Sequence, residues 1–181
     1  MENIVNFGLV HATIVGQIIV IALLIQLFKE RGGKEGKLTK LVADNATLLS
    51  FIVVVGALVG SLIYSEVVGF DPCKLCWWQR VFMYPQFFLL GAGVLWKKRD
   101  ILPYTAVLSI FGAITAVYHY ITQRTGWEVT NCSLGGGPSC AGYEFMAYGY
   151  ITIPIMSLTA FLLVLATYLC YKKYASRENL Y

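Results

Sequence analysis

Two cysteines three residues apart, followed by an arginine, are the residues of this chain best suited by type and spacing to do chemistry. In DPCKLCWWQR, residues 71–80, Cys73 and Cys76 have the C-x-x-C spacing of reactive thiol pairs. A thiol attacks only as its thiolate, so the pair needs a neighbour that favours the anion. If a helix begins near Cys76, its N-terminal dipole and Arg80, one turn further on, both favour a thiolate there. This stretch predicts thiol–disulfide exchange.

A second cysteine pair lies in NCSLGGGPSC, residues 131–140. Cys132 and Cys140 close a small loop whose glycines impose little steric constraint. We expect this loop to be exposed and its disulfide to exchange readily. Two other interpretations remain open: two structural staples, or a metal ion bound by all four cysteines. The C-x7-C spacing is unusual for metal ligands and membrane helices need few staples, so the residues favour exchange and predict no metal.

The elements that must position these cysteines are membrane helices. The chain is 57% hydrophobic and only 13% charged, which excludes an ordinary soluble domain. Five apolar stretches approach the ~20 residues that a spanning helix needs, and none alternates like a barrel strand. They are residues 7–28, 46–68, 77–96, 101–121 and 148–171. We predict an all-α integral membrane protein, with lipid but no nucleic acid among its partners.

The cations predict the orientation of these helices. Residues 29–44 carry five Lys or Arg, residues 97–100 carry three and the tail after Tyr171 carries three, eleven of the fourteen in the chain. Since cytoplasmic loops are enriched in such residues, we expect the N-terminus outside, the C-terminus in the cytoplasm and both cysteine pairs outside. Cys170, near the cytoplasmic end, is predicted to be a free thiol that only packs. The first stretch lacks the features of a cleaved signal peptide and is predicted to be retained.

Four side chains lie near the predicted outer surface. Trp77 and Trp78 fit an aromatic belt, at a depth where a lipid-soluble electron carrier reaches Cys76. His119 is placed either to hydrogen-bond such a carrier or to join two helices. Arg80 could simply extend to the interface, although an ionisable residue in a membrane is costly to keep without a function.

The chain resembles the bacterial DsbB/BdbC family of disulfide bond formation proteins over roughly residues 46–171. The resemblance rests on PCKLCWWQRVFMYP at 72–85, YHY at 118–120, the paired cysteines of the second outer loop and GYITIPIMSLTAF at 149–161. It implies a four-helix transmembrane bundle of DsbB type, here with an extra N-terminal transmembrane helix. It also implies a thiol:quinone oxidoreductase in the bacterial cell (inner) membrane.

This resemblance divides the chain into three parts. Residues 1–44 would hold the extra helix and a basic cytoplasmic loop, and residues 45–174 the redox domain. Residues 175–181 would form a tail whose closing ENLY looks like the start of a protease-site linker.

The resemblance also implies a role for each site residue. The thiolate of a DsbA/BdbD-like thioredoxin-fold partner would attack Cys132, and the freed Cys140 would pass the electrons to Cys73. Cys76 would then interact with a bound quinone, either ubiquinone or menaquinone. Arg80 would stabilise the Cys76 thiolate and the reduced quinone. His119 would lie near the quinone ring, and Trp77 is a further candidate for quinone binding.

The chain departs from the family pattern in two ways. The family core has both termini in the cytoplasm, whereas here the N-terminus is expected outside. The better-known members of the family also have a longer second loop than this chain. Two other functions remain candidates. A reductase similar to vitamin K epoxide reductase uses the same two kinds of cysteine pair, but with the loop pair first in the chain. A non-catalytic thiol sensor or scaffold would need no quinone.

Overall fold

Within the described residues, the secondary structure consists of helices and turns, with one isolated β-bridge between Ala147 and Ile151. The computed structural model describes residues 2–30, 36–127, 138–142 and 145–178. The helices are α1 Glu2–Lys29, α2 Lys37–Asp44, α3 Ala46–Leu62, α4 Lys74–Leu95, α5 Leu102–Thr125 and α6 Ile153–Glu178, and a π-helical segment, Ile63–Val68, continues α3. The predicted all-α fold class is confirmed.

Four of the described helices are long and apolar enough to cross a membrane: α1, α3 with its π-helical extension, α5 and α6. Helix α4 has 22 residues, but Gln79, Arg80 and Gln86 interrupt its apolar surface. All three side chains are buried, as expected for polar groups that face protein instead of lipid. The chain is a multi-pass membrane protein, and α4 is the polar helix packed against α3 and α5.

Helices α6 and α2 are two of the elements that differ from the sequence-based prediction. Helix α6 begins at Ile153 instead of Tyr148, because Tyr148 and Gly149 have positive φ angles in a turn closed by hydrogen bonds between Ala147 and Ile151. The short helix α2 was not predicted, because its eight residues form no long apolar stretch.

Close packing and polar bridges hold the long helices together. Phe161 of α6 is fully buried, and it lies so close to Gly112 of α5 that a side chain there would collide with its ring. The hydroxyl of Ser109 donates to Gln86 Oε1 at 3.0 Å, joining α5 to α4. Such contacts matter because lipid provides little hydrophobic drive for helices to associate.

The described parts of the three cation-rich segments gather at one end of the bundle, which we call the basic end. Arg99, after α4, donates to the backbone oxygen of Asp44 at 2.8 Å, and Lys173 of α6 lies 3.3 Å from Glu30. Cys170 is free and buried near this end, as predicted. Cys73 precedes α4 and so lies at the opposite end, which we call the sulfur end.

Candidate active site

Cys73 caps the N-terminus of α4. It has an extended backbone, with φ −67° and ψ 170°, and its sulfur accepts a hydrogen bond from the backbone N–H of Cys76 at 3.4 Å. Helix α4 thus begins at Lys74, earlier than the start near Cys76 considered from the sequence. The first turn of a helix has free N–H groups and a positive dipole end. These groups therefore act most directly on Cys73.

The two thiols of the C-x-x-C pair face each other. Their Sγ atoms are 3.2 Å apart and both cysteines are free. Cys73 is buried and Cys76 is partly buried. Because a disulfide bond brings two sulfurs to about 2.05 Å, only a small movement is needed to join them.

His119 of α5 connects the cysteine pair to α4 through both ring nitrogens. Its Nε2 lies 3.6 Å from the sulfur of Cys73, and its Nδ1 lies 2.9 Å from Nε2 of Gln79. The same Gln79 nitrogen donates to the backbone oxygen of Leu75 at 3.3 Å, which fixes the orientation of the amide. His119 Nδ1 therefore accepts a hydrogen bond, so the ring carries its proton on Nε2, facing the Cys73 sulfur.

These contacts favour the thiolate of Cys73. Hydrogen bonding with the Cys76 thiol lowers the pKa of Cys73 well below the usual range of a cysteine, against the opposing effect of burial. The hydrogen bond from His119 and the backbone N–H of Cys76 lower this pKa further. In the reduced pair, the negative charge therefore develops on Cys73 while Cys76 keeps its proton.

Arg80 is a buried cation with neutral partners. Its Nε donates to the hydroxyl of Ser61, and its Nη2 donates to the backbone oxygen of Ser61 and the hydroxyl of Ser65, each at 3.0 Å. Trp77 covers it, with 5.2 Å between the guanidinium carbon and the ring centroid. Within the described residues no carboxylate forms an ion pair with Arg80, so its positive charge is available to an anion nearby.

A cavity of about 310 Å³ lies beside Cys76 and Arg80. Gln79 and Ser61 add polar groups to its lining, and apolar residues of four helices form most of its walls. These apolar residues include Leu9 and Ala12 of α1, Ile52 and Val53 of α3, Met83 of α4, and Met156 and Leu163 of α6. Neither His119 nor Trp77 is among the described residues that line it.

Cys140 packs at the sulfur end together with the C-x-x-C pair. Cys140, Cys73 and Leu75 form one buried cluster, against which Cys76 and Tyr118 pack. Cys140 is fully buried, so the expectation that the second-loop pair is exposed is wrong for this residue. Its burial places it among the residues that surround Cys73.

A hydrogen bond joins the segment that carries Cys140 to α5. Nε2 of Gln123 donates to the backbone oxygen of Gly142 at 3.1 Å. Cys140 takes part in a disulfide. Cys132, the other predicted member of the second pair, lies outside the described residues.

The same atoms could be considered as a metal site. The sulfurs of Cys73 and Cys76 and a ring nitrogen of His119 lie within 4.8 Å of one another. A metal would bind at the nitrogen facing the sulfurs, and that nitrogen would have to lose its proton. The amide of Gln79 holds the proton there by donating to Nδ1, which favours a hydrogen-bonded thiolate over a metal ligand.

Comparisons with known proteins agree with this chemistry. The family model of disulfide bond formation protein DsbB matches residues 43–171. The SPbeta prophage-derived disulfide bond formation protein B of Bacillus subtilis is 41% identical over 126 residues, 70% of this chain and 84% of that protein.

Two other relatives have similar names. Disulfide bond formation protein C of Bacillus subtilis is 36% identical over 117 residues, 64% of this chain and 84% of its own. A probable disulfide formation protein C of Halalkalibacterium halodurans is 33% identical over 121 residues, 67% of this chain and 88% of its own. No solved structure matches the chain significantly.

Proposed function

The chain belongs to the DsbB family of disulfide bond formation proteins, and on this premise we propose that it is a thiol:quinone oxidoreductase that reoxidises an extracytoplasmic dithiol protein. The family gives the chain an oxidoreductase role in disulfide formation. The dithiol substrate would be a thioredoxin-fold protein similar to DsbA or BdbD. The electron acceptor would be membrane ubiquinone or menaquinone.

The proposed reaction begins with two disulfide exchanges. In the first, the partner's dithiol reduces the Cys132–Cys140 disulfide, and the partner leaves with a disulfide of its own. In the second, Cys140 attacks a Cys73–Cys76 disulfide at Cys73, and Cys132 then attacks the resulting Cys140–Cys73 bond. This restores Cys132–Cys140 and leaves Cys73 and Cys76 as two thiols, so each exchange moves two electrons and two protons.

The surroundings of Cys73 suit it as the thiol released in the second exchange. A sulfur with a low pKa is a good leaving group and a stable thiolate, and hydrogen bonding lowers the pKa of Cys73. His119 would act on this sulfur through its Nε2 proton, instead of lying near the quinone ring as the resemblance implied. Gln79 would keep that proton in place.

The cavity beside Cys76 fits the head group of a quinone. Its volume is typical of a small-molecule site, and it combines apolar walls with a few polar groups. A quinone bound there would accept two electrons and two protons from the reduced cysteine pair. Arg80 would stabilise the negative charge that appears beside it, and Trp77 would cover the outer face of the guanidinium.

The proposal includes an orientation. The basic end, with its cations from three segments, would face the cytoplasm, and the sulfur end would face outward. Residues 45–174 would form the redox domain, preceded by the N-terminal helix and its basic loop in residues 1–44. Both cysteine pairs would then lie where disulfides persist.

The single observation that carries the proposal is that Cys73, Cys76 and Cys140 share one cluster next to the cavity lined by Arg80. The test is turnover of the purified protein with a reduced thioredoxin-fold dithiol oxidase as substrate. We expect turnover to stop when quinone is removed and to return when ubiquinone or menaquinone is added. Turnover that is unaffected by quinone removal would defeat the proposal.

A further inference from the structure

Helix α1 lies outside the family match, which begins at residue 43, yet it packs closely on the redox bundle. A Cβ atom on Gly16 would lie 3.0 Å from Thr159 and 3.2 Å from Leu163 of α6. A Cβ atom on Gly60 of α3 would lie 3.1 Å from Leu9 of α1. These distances are shorter than ordinary van der Waals contact, so α1 packs closely along α6 and meets α3 at Gly60.

Polar contacts also position α1, both near its middle and at the basic end. The hydroxyl of Tyr150, just before α6, donates to Gln17 Oε1 at 2.9 Å, and the amide of Gln17 donates to Thr159 at 3.5 Å. At the basic end, Lys173 of α6 pairs with Glu30 at 3.3 Å. Helix α1 is therefore positioned by specific hydrogen bonds as well as by shape.

The same helix forms part of the cavity wall. Leu9, Ala12 and Thr13 line the cavity that Cys76 and Arg80 also line. The hydroxyl of Thr13 donates to the backbone oxygen of Leu9 at 2.8 Å, so it needs no hydrogen bond from a ligand. Ala12 is exposed as well as lining the cavity, so the cavity reaches the protein surface beside α1, where lipid tails surround a membrane helix.

We propose that α1 is a quinone-binding element: Leu9, Ala12 and Thr13 hold the apolar part of the quinone while Cys76 and Arg80 meet its ring. This inference rests on the proposed function and extends it to a helix outside the family match. It predicts that the size of the α1 side chains controls quinone affinity without affecting disulfide exchange.

The test compares three variants of the full chain. Ala12→Phe fills the cavity and Leu9→Ala enlarges it. Val15→Phe is the control, because Val15 is exposed on α1 and is not among the described residues that line the cavity. We expect Ala12→Phe to raise the KM for quinone about tenfold or more, a size typical of added bulk in an apolar pocket. Leu9→Ala should raise this KM less, and Val15→Phe should leave it unchanged.

A second measurement separates binding from exchange. Protein with both cysteine pairs oxidised should oxidise the reduced partner in a single turnover without added quinone, at the same rate in every variant. The quinone retained after purification should fall in Ala12→Phe and stay normal in Val15→Phe.

The possible outcomes distinguish the two proposals. If the unmodified chain turns over without quinone, the proposed function fails. If that chain depends on quinone but Ala12→Phe and Leu9→Ala behave like Val15→Phe, the inference about α1 is overturned and the proposed function stands. If Ala12→Phe does not fold, Leu9→Ala, which adds no bulk, decides the question through its KM.

Discussion

The two ends of the helix bundle surround a buried charge in different ways. At the basic end, Glu30 accepts hydrogen bonds from Thr39 at 2.7 Å, Gln26 at 2.9 Å and the backbone of Gly36 at 3.0 Å, and it also pairs with Lys173. At the sulfur end, the buried Arg80 has only hydroxyl and carbonyl oxygens as hydrogen-bond partners among the described residues.

This difference gives the two charges different roles: Glu30 joins helices, whereas Arg80 can act on a reacting group. A buried charge that is fully paired has little capacity left for a ligand, and removing one partner of the pair is destabilising. A buried cation with neutral partners keeps its capacity for an anion, and a thiolate or a reduced quinone beside Arg80 would supply one. The contrast predicts large catalytic effects at the sulfur end and stability effects at the basic end.

The largest contrast is expected between two cysteines. Cys73→Ser should abolish quinone-dependent oxidation of the partner, because the second exchange has no sulfur to attack. Cys170→Ser, at the basic end, should leave turnover unchanged, since Cys170 is free and packs among apolar residues. Turnover of both purified variants checks this. Residual activity in Cys73→Ser would show that Cys73 is not one of the cysteines that pass the electrons to quinone.

A smaller catalytic loss is expected for the buried cation. Arg80→Gln should lower turnover about 100-fold, as is common when one preorganised donor to a developing charge is lost. Arg99→Gln, which removes an exposed arginine at the basic end, is the matched control and should change turnover little. If both substitutions changed turnover equally, the proposed difference between the two ends would be contradicted.

The third prediction concerns the pKa of Cys73. Gln79→Leu removes the donor that keeps the His119 proton facing sulfur, and His119→Phe removes the proton itself. Both should raise the pKa of Cys73, so that at mildly acidic pH less thiolate is present and alkylation is slower than in the unmodified protein. Mass spectrometry of the Cys73 peptide across pH checks this, and identical profiles would show that the two residues only pack.

The smallest expected effect is a loss of stability at the basic end. Burial opposes ionisation of Glu30, but hydrogen bonds from Thr39 and Gln26 and the charge of Lys173 outweigh it and lower its pKa. Ionised Glu30 thus contributes stability above its unfolded pKa, and this contribution is lost as the pH falls through the lowered value.

Glu30→Gln should therefore reduce the free energy of unfolding by about 1–3 kcal/mol at neutral pH, and by less in acid, with turnover unchanged. Asp44→Asn, which removes a more exposed ion pair with Arg99, should cost less than about 1 kcal/mol. Unfolding of both variants in detergent provides the measurement. An equal cost at both sites would contradict the distinction between the buried and the exposed pair.

The sequence was most informative where a pattern has one physical cause. The apolar stretch at residues 46–68 coincides with α3 and its π-helical extension, because a spanning helix needs that length of apolar residues. Arg80 could be predicted as a functional residue because an arginine within an apolar stretch is costly to place in a membrane. The resemblance to the DsbB family, based on the motif around Cys73 and Cys76, is confirmed.

Contacts between distant segments could not be predicted in the same way. The spacing of three residues places Gln79 and Cys76 on one face of α4, but spacing alone does not predict a partner for Gln79. The partnership of Gln79 with His119 depends on how α4 meets α5, which no local pattern encodes. For the same reason, the glycine-rich loop predicted exposure for Cys140, whereas packing against Leu75 and Tyr118 buries it.

The most direct test of electron transfer between the two cysteine pairs asks whether Cys140 and Cys73 can form a disulfide bond. In a Cys76→Ala, Cys132→Ala variant, these two cysteines have lost their usual partners. We predict that mild oxidation with diamide forms an intramolecular Cys73–Cys140 disulfide, detected by non-reducing peptide mapping, while Cys170 stays free. If Cys73 and Cys140 remain unlinked although each reacts with a small alkylating reagent, the two pairs do not meet and the account is contradicted.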